Sequence, residues 1–155
     1  HECILDFRDL KSKTGLSVND LAKRLIDYSF HAPTISWPVP ETIMIEPTES
    51  ESLVELDRFC EAMLLIGEEI SEIEKNSELK NNNVISNAPH TLKELIADNW
   101  HYPYSKEKAS FPYKTPTTIK FWSSVSRINN AYGDRNLICS CNVNQGETLE
   151  EKKCA

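Results

Sequence analysis

The polar side chains of this chain best suited to chemistry are His31 and Thr34, set in a stretch, residues 30–52, that holds Pro33, Pro38, Pro40 and Pro47. Each proline fixes its own φ and drives the residue before it to extended backbone, so residues 31–41 are predicted to form a stiff, non-helical loop that holds its side chains for contact. An imidazole there can donate a hydrogen bond or carry a proton near neutral pH. The plainer alternative is that His31 and Thr34 satisfy backbone groups of their own loop. Arg135, within Tyr132 to Asn136, is a third candidate, because a guanidinium fork grips a carboxylate with two parallel hydrogen bonds. A tie to Asp134 or to a backbone carbonyl is the duller option. Cys139 and Cys141 share one face of an expected Leu137–Cys141 strand. Cys-x-Cys without a second pair is a weak metal signal, so buried thiols or a redox bond to an upstream cysteine are the readings, with no metal expected. His90 and His101 lack a carboxylate or cysteine at ligand spacing and are read as structural, and Cys154 is expected to be exposed in a polar tail.

The elements that must position these residues emerge from periodicity. Cys3 to Phe7 reads as a strand buried on at least one face, and Lys11 to Gly15 as a turn. Ser17 and Asp20 match a capping box, with Val18, Leu21, Ala22, Leu25 and Ile26 at amphipathic spacing, giving a helix that ends near Phe30. Thr42 to Glu46 alternates as a second strand. Thr48 and Glu51 match another capping box, for a long helix with an expected apolar face of Leu53, Leu56, Cys60, Met63, Gly67 and Ile70, fading by Lys75. Strand, helix, strand and long helix make a small α/β (α+β-like) domain over residues 1–75, with helices on one face of the sheet.

From residue 76 the pattern changes. Asn81 to Asn83 reads as a loop and Thr91 to Asp98 as a short helix, and Pro103, Pro112 and Pro116 interrupt the chain beyond that helix. Trp100, Tyr102, Tyr104, Phe111, Tyr113, Phe121, Trp122 and Tyr132 recur without local periodicity. Such a stretch would expose much apolar surface if left alone. Residues 76–141 are therefore expected to be an arm packed on the same domain or on a parent enzyme, and 142–155 a disordered tail.

The 155 residues carry a net charge of −7, with 17 acids against 8 bases in residues 1–80. An acidic first half argues against nucleic acid or an anionic membrane as partner. No apolar run reaches the roughly 20 residues of a membrane span. Five cysteines without a paired framework suit a reducing compartment.

Phe30 to Trp37, Pro38 to Pro40 and Thr42 to Ser50 resemble the C-terminal part of glycine decarboxylase, the pyridoxal-phosphate-dependent P-protein family of glycine cleavage systems. So do His1 to Asp6, Asp20 to Tyr28, Glu55 to Cys60, Asn87 to His90, Pro103 to Ser105, Lys120 to Trp122 and Tyr132 to Leu137, in register to about residue 141. Ser29 and Glu41 stand where that family usually has glycine, so any positive φ there would be strained. Ser123, Ser124 and Ser126 replace a Pro-Pro-Val-Gly pattern, and Asn129 an aspartate.

The resemblance implies the C-terminal domain of an aspartate-aminotransferase-like (fold type I) enzyme that decarboxylates glycine on pyridoxal phosphate and passes the aminomethyl group to the lipoyl arm of the H-protein. It implies a cofactor lysine in an upstream Ser/Asn-x-His-Lys setting, and no such setting occurs here; four glycines leave no phosphate-cradling loop either. This chain is then expected to be a piece of a longer protein, inactive alone. It would close the active site, with His31, Thr34 and Arg135 at its mouth and Arg135 offered to the glycine carboxylate. Implied partners are the rest of the P-protein, as homodimer or split-subunit heterotetramer, the H-protein and glycine. The implied compartment is the cytoplasm of a bacterium or the mitochondrial matrix of a eukaryote. A non-catalytic module that binds a pyridoxal-phosphate subunit or the H-protein, and a relic without function, are the alternatives.

Overall fold

The computed structural model describes residues 1–113 and 120–138. Three strands, β1 (Cys3–Asp6), β2 (Thr34–Ile35) and β3 (Thr42–Ile45), form an antiparallel sheet in the order β1-β3-β2. Opposite Ile43 lie Leu5 on one side and Ile35 on the other, and opposite Met44 lie Ile4 and Thr34. Successive side chains on a strand point to opposite faces. Ile43 is fully buried, and Ile35 and Ile45 pack against the same core. The other face carries Ile4, which is 45% exposed, and the exposed Thr34. With Met44 half-buried and Thr42 buried on that second side, the sheet has one packed face and one that is open only toward Ile4 and Thr34.

Two helices cover the packed face, α2 (Val18–Asp27) and α3 (Leu53–Lys75), with the single-turn α1 (Leu10–Thr14) beside them. The expected Lys11–Gly15 turn is thus helical, closed by Gly15 at φ 80°, a left-handed conformation that glycine adopts without a Cβ penalty. The box at Ser17 and Asp20 is present: the Asp20 carboxylate accepts the Ser17 amide at 2.8 Å. Leu21 and Leu25 from α2, with Tyr28 just past its end, meet Ala62, Ile66 and Ile73 from α3 in one core, which Val84 and Ile85 complete.

Two expectations for α3 are corrected. Its N-cap is Ser52, whose hydroxyl accepts the Glu55 amide, and the Thr48-x-x-Glu51 pair makes only a preceding turn. Its buried face runs through Ala62, Ile66, Glu69 and Ile73, with Phe59, Met63 and Ile70 at its margins. Leu53, Leu56 and Cys60, placed on the core face by sequence, are exposed instead. The helix is apolar on two sides, and the expected face straddles them: Met63 and Ile70 pack against the core, while Leu53, Leu56 and Cys60 turn outward.

Beyond a 3₁₀ turn at Ser77–Leu79 come α4 (Leu92–Ile96), α5 (Lys106–Ser110) and α6 (Asn130–Arg135). The short helix expected over 91–98 is α4, and its Thr91 and Glu94 form a capping box. Strand β2 and helices α5 and α6 have no counterpart among the sequence expectations. Leu137 and Ile138 are 86% and 95% exposed and lie in no strand, while the rest of the expected 137–141 strand and the 142–155 tail fall outside the described residues.

Candidate functional site

The proline-rich loop is a hairpin tip. Thr34 opens β2, the chain turns through Ser36 at φ 55°, a cis Trp37–Pro38 peptide and Glu41 at φ 56°, and Thr42 opens β3. Ser36 donates its amide to the Thr42 carbonyl at 2.8 Å and accepts the Glu41 amide on its hydroxyl at 3.2 Å. Thr42 donates its hydroxyl to the Val39 carbonyl at 2.6 Å. These bonds fix the tip from inside, so Trp37 is presented to solvent, 66% exposed, on a rigid support.

The root of the same loop is gripped from α3 and from the C-terminal half. Ser29, at φ 65°, accepts the Phe121 amide on its hydroxyl at 2.9 Å. The Tyr113 hydroxyl donates to the Tyr28 carbonyl at 3.3 Å. Lys120 donates its ammonium to the Asp27 carbonyl. Arg58 donates to the Tyr28 carbonyl at 3.1 Å and stacks its guanidinium 3.8 Å from the Phe30 ring centroid. His31 emerges directly after this clamp, exposed and without a hydrogen bond among the described residues. Thr34 is exposed three residues on, beside Met44 in the open row of the sheet. Neither side chain is used up by its own loop.

Arg135 occupies the last turn of α6, exposed, and among the described residues it makes neither the expected tie to Asp134 nor a bond to His31 or Thr34. His101 is exposed. Cys139, Cys141 and Cys154 lie outside the described residues. Among the described residues no group of three His, Cys, Asp or Glu side chains is arranged to hold a metal ion.

Beneath the loop lies a polar centre absent from the sequence expectations. Arg24, fully buried, donates to Glu69 at 2.6 and 3.0 Å, to Asp27 at 2.9 Å and to the carbonyls of Lys108 and Ala109 at 2.7 Å each. Asp27 accepts the His90 amide at 2.7 Å and lies 2.8 Å from His90 Nδ1, while Nε2 of His90 is 2.9 Å from the Tyr104 hydroxyl. Burial pulls the Arg24 pKa down, but Glu69 and Asp27 more than reverse this and hold it above the ordinary arginine value. Burial raises the Tyr28 and Tyr104 hydroxyls. It also pushes the Lys120 ammonium down to about 8, Arg24 adding to the effect and Asp27 opposing it. Asp27, His90 and Tyr104 sit in the order of a proton relay, but His90 is only 2% exposed and both ring nitrogens are engaged. A saturated, buried network of this kind fixes geometry rather than moving protons to a substrate. The signal was present in the sequence: Arg24 and Glu69 occupy core-phase positions beside Leu21 and Leu25 on one helix and Ile66 and Ile73 on the other.

A pyridoxal phosphate does not fit the described residues alone. Among the partly buried lysines, Lys120 and Lys106 spend their ammonium groups on carbonyls and Lys108 pairs with Glu72, and the cavity of about 580 Å³ beside β1 is lined by Asp6, Asp9 and Glu74 against Arg8 and Lys13. An excess of carboxylates repels a phosphate. No helix among the described residues is long and apolar enough to cross a membrane.

Residues 1–90 match the family model described as "Glycine dehydrogenase, C-terminal domain". Curated relatives named "Glycine dehydrogenase (decarboxylating)" include that of Prochlorococcus marinus strain NATL1A, 62% identical over 141 residues, and that of Aliivibrio fischeri, 55% identical over 141 residues; each alignment covers 91% of this chain and 15% of the relative. A mitochondrial relative from Dictyostelium discoideum is 58% identical over 143 residues, covering 91% of this chain and 14% of its own length. This chain thus spans about one seventh of the curated proteins it matches. With the family model covering the whole sheet and both long helices, the chain belongs to the glycine dehydrogenase C-terminal domain family.

Proposed function

We propose that this chain is the closing domain of a glycine dehydrogenase (decarboxylating) of the relatives' size, and that the cofactor and its lysine belong to the remaining polypeptide. The observation that carries the reading is the alignment itself: 62% identity sustained over 91% of the chain, including the proline-stiffened hairpin with its two exposed polar groups. In this reading the domain is the small domain of a fold-type-I pyridoxal-phosphate enzyme, and the cofactor supplies the electron sink for loss of the glycine carboxyl group. This chain's part is to form a wall and mouth that exclude water and orient the substrate. His31 and Thr34 line the mouth, and Arg135 receives the substrate carboxylate as a two-point fork. The lipoyl arm of an H-protein enters by the same mouth to take the aminomethyl group. The compartment is bacterial cytoplasm or mitochondrial matrix, where exposed thiols such as Cys3 and Cys60 stay reduced.

The test is the intact mass of the native protein that contains this chain, with its visible absorbance. A species several times heavier than 17.7 kDa, coloured by bound pyridoxal phosphate, is the expected result. In that species His31→Ala is expected to lower glycine decarboxylation by about 10²-fold with the colour retained. A colourless species of 17.7 kDa would exclude the enzyme reading and leave a partner-binding module.

A further inference from the structure

Helix α3 has a second apolar face that none of the described residues covers. Leu53, Leu56, Cys60 and Leu64 recur at spacings of three, four and four, one per turn over roughly 17 Å, and point nearly opposite to the buried row of Ala62, Ile66, Glu69 and Ile73. Leu53 is 71% and Leu64 72% exposed, and Cys60 between them is an exposed free thiol. The stripe runs into a hollow of about 580 Å³ at Gly67, where a Cβ would meet nothing, bounded by Met63, Leu64 and Ser71 and rimmed by Glu68, Glu72 and Lys75. A ridge of leucines ending in a notch is a shape that seats in a groove, and an apolar surface of this extent marks an interface.

Charge selects the occupant. Asp57, Glu61 and Glu68 follow one edge of the stripe, and Glu49 and Glu51 precede its first turn. A second copy packed antiparallel on this face would set that acidic edge against itself, on a chain of net charge −7. A groove rimmed by lysine and arginine meets both features. We propose that the outward face of α3 docks into such a basic-rimmed apolar groove on the remainder of the parent polypeptide. This rests on the proposed function above, in which about six sevenths of the parent lies outside this chain.

Cys60 reports on the contact because it sits in the middle of the stripe. The experiment is maleimide labelling of the native protein that contains this chain, purified intact, followed by peptide mass spectrometry with the native mass recorded in parallel. In a species several times heavier than 17.7 kDa, Cys60 is expected to label at least about tenfold more slowly than in the same protein unfolded in urea. Asp57→Lys combined with Glu61→Lys is expected to raise the native rate, taken relative to the same variant unfolded in urea, about tenfold by placing like charges at the rim. A large species whose Cys60 labels at the unfolded rate overturns the docking face and leaves the enzyme reading standing. A large species whose Cys60 is protected but indifferent to the two lysines overturns the basic rim. A native mass of 17.7 kDa removes the parent, and twice that mass with Cys60 protected assigns the face to a second copy instead.

Discussion

Ser29, Ser36 and Glu41 hold left-handed backbone with φ of 65°, 55° and 56° although none is glycine. At Glu41 the cost has a visible return. Its carboxylate accepts the Val18 amide at 3.1 Å, at the N-terminus of α2, where the helix dipole favours an anion. Left-handed backbone costs a non-glycine residue roughly 1–2 kcal/mol. A hydrogen bond to a charged group contributes about 1.5–3 kcal/mol. Glu41→Gly is therefore expected to leave stability within about 1 kcal/mol of wild type. Glu41→Ala keeps the strain, loses the bond and should lower stability by about 2 kcal/mol, read as a shift in the urea midpoint. Lys120 gives a prediction in pH. Its folded pKa, about 8, lies below the ordinary 10.5, so between those values the unfolded chain binds more protons and stability rises with pH. Below pH 8 the desolvated ammonium is a constant cost, on the order of 1 kcal/mol after screening by the solvent that reaches it. In Lys120→Met the difference from wild type should change across pH 8 to 10; a parallel pair of stability–pH curves would show that the ammonium is not desolvated.

At the scale of elements, the clearest sequence signals were those in which one local rule pointed one way. Ser17 and Asp20 gave the start of α2, because a short hydroxyl and a carboxylate three residues apart satisfy each other's orphan amides and little else. The same signature misled at Thr48, since Ser52 offers an equivalent hydroxyl four residues later and the apolar residues after it decide between them. Strand β2 is two residues long and exists only through its pairing with β3, so no local pattern announces it. The rigidity of the His31 loop was legible from its prolines, but the clamp at Asp27, Tyr28 and Ser29 comes from residues about 30 to 90 positions away, and long-range pairings leave no periodic trace. The two faces of α3 differ in the same way. Ile66→Ala, in the buried row at 1% exposure, is expected to cost about 2–5 kcal/mol, and Leu53→Ala, at 71% exposure, under about 0.5 kcal/mol in this chain alone. Equal losses in urea unfolding would mean that the outward face is covered from within the chain.

On the scale of the whole molecule, the change of composition at residue 76 is not a boundary of stability. The Arg24 guanidinium donates to the Lys108 and Ala109 carbonyls, and the Asp27 carboxylate engages both the amide and Nδ1 of His90. Val84 and Ile85, 4% and 0% exposed, are part of the same core as Leu25 and Ile66. Arg127 closes a further tie, reaching Asp20 on α2 and the Ser86 carbonyl at 2.9 Å. A chain cut after Lys80 would keep Arg24, Asp27 and Glu69 but lose His90, both carbonyls and the two core aliphatics. Removing one side of a buried ionic network costs about 3–5 kcal/mol, and two emptied core positions add a comparable amount. Domains of this size are stable by only about 5–15 kcal/mol in total. Residues 1–80 are therefore expected to retain helical circular dichroism, chiefly from the 23-residue α3, yet to show no sharp thermal transition, while the full chain melts cooperatively. A sharp transition in the truncated chain would mean that the buried centre is satisfied by water in place of residues 83–110, and that the C-terminal half rests on the domain without holding it together.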